Sequence, residues 1–207
     1  MTKTDLKKDL KAFYQTRAKT FELVDVPPMN FVMVDGQSSP GDAPAYLEAV
    51  QWLYGISYAA KFHAKTELDR DYVVMPLEGL WWAVDYEDYR HGNRDKWQWT
   101  LMIMQPDFIT PAIFERAFDK TAAKHDAPPP ESLRFEAFSE GLSLQMVHIG
   151  PYADEAPIID QLHREIIPAR GLVENGHHHE IYLSDPRKSA PEKLKTILRQ
   201  PVMAAKA

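Results

Sequence analysis

"FVMVDGQSSP" at residues 31–40 and "LQMVHIGPY" at residues 144–152 hold the same place in the two halves of the chain, and this parallel decides the fold. Each is an apolar run closed by glycine and proline, which reads as a strand running into a turn. A helix then follows in both halves. The first, about 43–65, carries Tyr46, Ala49, Leu53, Ile56 and Ala60 at steps of three and four, the spacing of one helical face. The second, about 154–167, is anchored by Ile159, Leu162 and Ile166.

Extended runs come next. In the first half these are "DYVVMPLEGLWWAV" at 71–84 and "WQWTLMIMQ" at 97–105, joined by a charged, glycine-containing connection that suits a long hairpin loop. In the second half "EIYLSD" at 180–185 is a strand, followed by a short helix at about 190–196 running into "LRQPV". A further strand-like run opens each half, "FELVDV" at 21–26 and "SLRFEAF" at 132–138. Thr110-Pro111 starts a further helix as cap and first-turn proline, reaching about 124. Residues 4–16, with Leu6, Leu10 and Phe13, form a short amphipathic helix.

The expected fold is α+β: duplicated βαββ modules forming an antiparallel sheet, with helices on one face and a ligand groove between the modules. Residues 1–207 then make one domain of two modules, about 20–125 and 131–203, with "DAPPPES" at 126–132 as the boundary signal.

Composition narrows the function. The 207 residues are 44% hydrophobic and 26% charged, ordinary for a globular protein. The net charge of −6, with no block of five like charges, argues against a nucleic-acid partner. There are no cysteines, so disulfides, thiolate metal sites and a cysteine nucleophile are excluded. The polar, lysine-rich "MTKTDLKKDLKAFY" is no secretory signal, and no apolar run approaches the roughly 18 residues of a membrane helix. A cytoplasmic protein without a membrane partner is expected, and no protein partner is indicated.

Alternation assigns the site. In the strand "HHEIYLSD", His178, Glu180, Tyr182 and Ser184 share one side and His179, Ile181 and Leu183 the other. Ile181 and Leu183 suit the core, so Glu180 and Tyr182 face the groove. In "YVVMPLEGLWW", Tyr72, Val74, Glu78 and Trp82 form a mixed face, and Met102 and Met104 of the next run line the same groove. Acids and aromatics on one face suit a planar, apolar or cationic ligand. A carboxyl group desolvated there has a raised pKa, which fits it for acid or base work.

Blander readings stand beside these. The aromatics could be core, Glu180 a solvent-facing strand acid, and "GHHH" at 176–179 a solvated lead-in to the strand. "HIGPYAD" at 148–154 could be a helix start capped by Asp154, rather than a corner that swings Tyr152 over the sheet end. The histidine run offers no third ligand at metal-binding spacing, so neither a metal nor another cofactor is expected. Serine-nucleophile, phosphate-loop and dinucleotide motifs are absent.

"FVMVDGQSSP", "YVVMPLEGLWW", "WQWTLMIMQPDF", "HIGPY" and "HHEIYLSDPRKSAPEKLKTILRQPV", in that order, resemble a stand-alone member of the GyrI-like small-molecule-binding superfamily. The resemblance spans about residues 5 to 203. It implies a duplicated βαββ sheet with a ligand groove. In the multidrug-sensing relatives a late-strand glutamate meets cationic drugs in an aromatic pocket; Glu180 matches that position and Tyr152 the corner tyrosine. "PLEGLWW" and "HHEIYLSDP" look more like the branch that hydrolyses cyclopropane-bearing DNA-alkylating compounds. On that reading Glu180 is the catalytic carboxylate, with Glu78 or Tyr152 assisting, and Tyr182, Trp82, Tyr72, Met102, Met104 and His178 contact the ligand. The alternative is a sequestering module for hydrophobic or cationic aromatic compounds, without chemistry.

Overall fold

The structure is a computed structural model that describes residues 3–16, 19–37, 39, 41, 43–84 and 96–206. The charged connection expected as a hairpin loop falls at 85–95, outside the described residues, as do 38, 40 and 42 of the turn-rich loop. In chain order the elements are β1 (Lys3–Thr4), α1 (Leu6–Asp9), α2 (Lys11–Tyr14), β2 (Glu22–Val26), β3 (Met29–Gln37), α3 (Pro44–Glu67), β4 (Asp71–Tyr72) and β5 (Glu78–Trp82). There follow β6 (Gln98–Gln105), α4 (Pro111–Ala122), β7 (Arg134–Phe138), β8 (Gly141–Ile149), α5 (Glu155–Gln161), α6 (Ile167–Ala169), β9 (Leu172–Glu174), β10 (His178–Tyr182) and β11 (Lys195–Ala204). A π-helical stretch, Leu162–Ile166, joins α5 to α6. The fold is mixed α+β with antiparallel main sheets.

The chain forms two compact units. The first comprises Met1–Asp9 and Met29–Phe138. Its sheet runs β7-β3-β6-β5, built around the chain order β3-α3-β5-β6. Helix α3 packs on β3 and β6 and against α4. Trp52, Leu53 and Ile56 of α3 are fully buried; each such side chain contributes about 1.5–3 kcal/mol relative to exposure. Gly55 permits the helix crossing, since a Cβ there would lie 2.7 Å from Thr121 Cγ2 of α4. Gly36 likewise makes room for the Trp99 ring, which a Cβ would meet at 2.3 Å. Helix α4 starts as its sequence predicts, with Pro111 in its first turn and Thr110 Oγ1 accepting from the Ile113 amide at 3.4 Å.

The second unit comprises Leu10–Pro28 and Ser139–Ala207. Its sheet runs β2-β8-β11-β10 around the order β8-α5-β10-β11, the same strand arrangement as the first. Each unit is discontinuous in sequence. Strand β7 belongs to the first, paired with β3 and held by Arg134, which donates to Asp35 Oδ2 at 2.8 Å. Strand β2 belongs to the second, with Leu23 opposite Leu144 of β8. The proline-rich 127–130 stretch therefore connects α4 to β7 inside the first unit.

Three local expectations are corrected. The helix at about 190–196 is a three-residue 3-10 turn, Pro191–Lys193, followed by β11, the longest strand among the described residues. Leu194 is already extended, at φ −60 and ψ 145, and β11 lies between β8 and β10, so its ladder bonds override helical spacing. The 71–84 run is two strands, interrupted at 73–77, where Pro76 cannot donate to a ladder. The 4–16 helix is two four-residue pieces, and Lys3–Thr4 instead pairs in parallel with β4.

Candidate active site

Everything in this site belongs to the second unit. Strand β10 pairs with β11 so that Glu180 lies opposite Leu198 and Tyr182 opposite Thr196. Residues directly opposite in an antiparallel ladder share a face. Glu180, Tyr182 and Thr196 therefore stand on one side of the sheet. His179 lies opposite Arg199 on the other side.

The corner after β8 brings two more groups. Gly150 has φ +148, and a Cβ there would press on the His148 ring at 3.1 Å, so the turn requires glycine. His148 Nε2 lies 3.3 Å from the Pro151 carbonyl oxygen and braces the corner. Residues Tyr152–Asp154 then make one 3-10 turn that leads directly into α5. Side chains three apart eclipse in such a turn, which puts Glu155 on the side of Tyr152. Asp154 makes no side-chain cap bond to the helix.

These elements converge. Tyr182 donates its hydroxyl hydrogen to Glu180 Oε2 at 2.8 Å, and its ring meets Tyr152 edge to face with centroids 5.8 Å apart. Glu155 is buried. Its pKa is raised to about 8, first by that burial and then by the charge of Glu180, with the Thr196 hydroxyl pulling the other way. The influence of Thr196 is the smallest of the three, and its Oγ1 makes no full hydrogen bond among the described residues. Glu155 Oε1 has no hydrogen-bond partner among the described residues. Burial, together with Glu155, Glu180 and Asp185, raises the Tyr152 hydroxyl to about 12, so it stays neutral. Two nearby carboxyls of which one keeps its proton form an acid–base pair.

Below the sheet lies a second polar cluster. Glu140 accepts from Arg199 Nη1 at 2.9 Å and lies 2.9 Å from His179 Nδ1. Burial alone would raise the Glu140 pKa, but His179 and Arg199 hold it at about 2. Arg199 also donates to the Phe13 carbonyl at 2.7 Å, which ties α2 to the sheet.

The sequence candidates are distributed as follows. Glu180, Tyr182, Tyr152 and His178 come together in the second unit. Glu78, Trp82, Tyr72, Met102 and Met104 belong to the first. There Glu78 is fully buried opposite Met102, and Met104 is buried. Tyr72 is packed against Phe108 and donates to Gln105 at 3.4 Å. Trp82 is half-buried and donates to Gln98 at 2.6 Å. The histidine run is not a solvated lead-in: His178 and His179 are both buried, and only His177 is exposed. Among the described residues no three His, Asp or Glu side chains are grouped to hold a metal ion. Glu155 escaped the sequence reading. Its position three residues after Tyr152, at a helix start, was the available signal.

Residues 19–203 match the GyrI-like small molecule binding domain. A solved structure of an uncharacterized conserved protein from Listeria innocua is 42% identical, with a TM-score of 0.85, and the match covers 97% of this chain and 100% of that one. A hydrolase from Listeria innocua is 41% identical, with a TM-score of 0.83 and the same coverage of both chains. The C-terminal domain of EcmrR shares the fold at 10% identity, with a TM-score of 0.54 over 89% of this chain and 98% of that one. No curated protein matches the chain significantly. Among the described residues no helix is long and apolar enough to cross a membrane.

Proposed function

Because the chain belongs to the GyrI-like small-molecule-binding family, we propose that it hydrolyses strained, planar hydrophobic compounds, cyclopropane-bearing alkylators among them, through the Glu155–Glu180 pair. The observation that carries this reading is the division of labour within the pair. Glu155 holds a proton near neutral pH beside Glu180, whose Oε2 accepts from Tyr182. That is an acid next to a base, and the similarity to a hydrolase from Listeria innocua supports chemistry over binding alone.

In a ring conjugated to a carbonyl, water adds to a ring carbon and the ring carbon–carbon bond breaks. The electron pair moves onto the carbonyl oxygen. Glu180 takes the proton from water as the new carbon–oxygen bond forms, and Glu155 gives its proton to the carbonyl oxygen. The net change to the substrate is the addition of one water, and the proton taken up by Glu180 returns to Glu155 before the next turnover. Tyr152 and Tyr182, set edge to face, offer rings against which a planar compound stacks. Acid–base assistance of this kind contributes about 10²–10⁴-fold, which suits an already strained ring.

The test is incubation of a molar excess of a cyclopropane-bearing alkylator with the protein, followed by mass spectrometry. Catalytic gain of one water, lost in Glu180→Gln and in Glu155→Gln, is the expected result. Binding without that product would favour the second reading, a sequestering module for hydrophobic or cationic aromatic compounds. The aromatic pair beside a carboxylate fits such a ligand as well.

A further inference from the structure

We infer that His178 is a positioning residue: as a neutral Nε2–H donor to Glu180 Oε1 it keeps Glu180 the charged member of the pair and Glu155 the protonated one. This inference rests on the reading of Glu155 and Glu180 as an acid–base pair.

The geometry is specific. The His178 side chain is 4% exposed, and neither ring nitrogen has a hydrogen-bond partner among the described residues. Its Nε2 lies 3.7 Å from Glu180 Oε1, while Tyr182 occupies the other oxygen at 2.8 Å. A buried imidazole must carry one N–H, and an N–H without an acceptor is costly. Closing the gap by less than an ångström turns the contact into a hydrogen bond. Glu180 would then accept from two neutral donors, and donors to the charged form lower a carboxyl pKa. Glu155 Oε1, by contrast, has no hydrogen-bond partner among the described residues. The asymmetry adds to the burial of Glu155 in keeping the proton there.

The ring must be uncharged to act this way. The ionisable groups that reach it are Glu180 and His179 from its own strand, His163 from the π-helical stretch and Glu140 from the turn before β8. Burial dominates, with His163 and His179 adding to it, and outweighs the pull of Glu140; the pKa falls to about 3. His178 is thus a fixed neutral donor, not a proton carrier.

The test needs no substrate. Side-chain carboxyls of the protein labelled with 13C at glutamate are titrated by NMR, with Glu155→Gln and Glu180→Gln assigning the two signals. In His178→Leu the Glu180 midpoint should rise by about one pH unit, and His178→Gln, which keeps an N–H donor, should bring it back. A Glu180 midpoint unmoved by leucine, or raised equally by glutamine, overturns the proposal. Should the leucine variant not fold, the wild-type ring decides: 15N shifts must show the neutral Nε2–H form from about pH 5 to 9, and an Nδ1–H form overturns it. These titrations are independent of turnover. A protein that turns over no alkylator yet titrates as expected keeps the positioning role and loses the hydrolase reading.

Discussion

Tyr182 donates to Glu180 from two residues further along the same strand, at 2.8 Å. Alternation places both side chains on one face, so the bond is local and does not depend on a distant loop. The carboxylate is oriented by its own strand before any ligand arrives.

Tyr182→Phe removes that donor and leaves the ring. The fold should survive, because ring packing against Tyr152 is kept. Turnover of a cyclopropane-bearing alkylator should fall about 10- to 100-fold, the worth of a hydrogen bond to a charged group. The Glu180 titration should move upward. Unchanged steady-state rates would remove Tyr182 from any role in holding the base.

Glu155 links the site to stability. Its pKa is about 8 in the folded state against an ordinary value of 4.5, so the folded protein binds the extra proton between these values. Its contribution to stability is fully present below about pH 4.5 and is lost as pH rises through about 8. The loss amounts to a few kcal/mol, at about 1.4 kcal/mol per pH unit. Thermal melts of wild type and Glu155→Gln at several pH values should diverge toward alkaline pH, with the glutamine variant the less sensitive. Parallel curves would contradict the buried, proton-holding acid.

Glu140 predicts the opposite slope. Its folded pKa, about 2, lies below the ordinary value of 4.5, so its contribution is present above about pH 4.5 and lost as pH falls toward 2. Glu140→Gln should weaken the wild-type acid limb of unfolding. Arg199→Met, which strands Glu140 beside His179, should cost about 3–5 kcal/mol in chemical denaturation. A cost below 1 kcal/mol would mean the cluster is solvated.

Gly36→Ala tests the packing of the first unit. The added Cβ would sit 2.3 Å from Trp99, and relief requires the indole or the strand to shift. A loss of about 1–3 kcal/mol is expected. A neutral result in a urea melt would show that the ring has room to move.

The residues explain why some of this was legible and some was not. Alternation in "HHEIYLSD" and the glycine-proline corner depend only on neighbours in sequence, so the strand, the turn and the shared face of His178, Glu180 and Tyr182 follow from local rules. Glu155 does not. It is one of many acids at a helix start, and its proton is held by burial and by Glu180, a residue 25 positions away in sequence.

By itself the sequence determined the repeated βαββ order, the two central helices and which strand residues stand side by side, because periodicity and turn chemistry act over a few residues. Tertiary structure alone decided that β7 pairs with β3 and β2 with β8, and that "KTILRQPVMA" is a central strand. It also decided that two of three consecutive histidines are buried. Those outcomes depend on ladder partners and on the desolvation of groups far apart in the chain, and neither is written in a local stretch of residues.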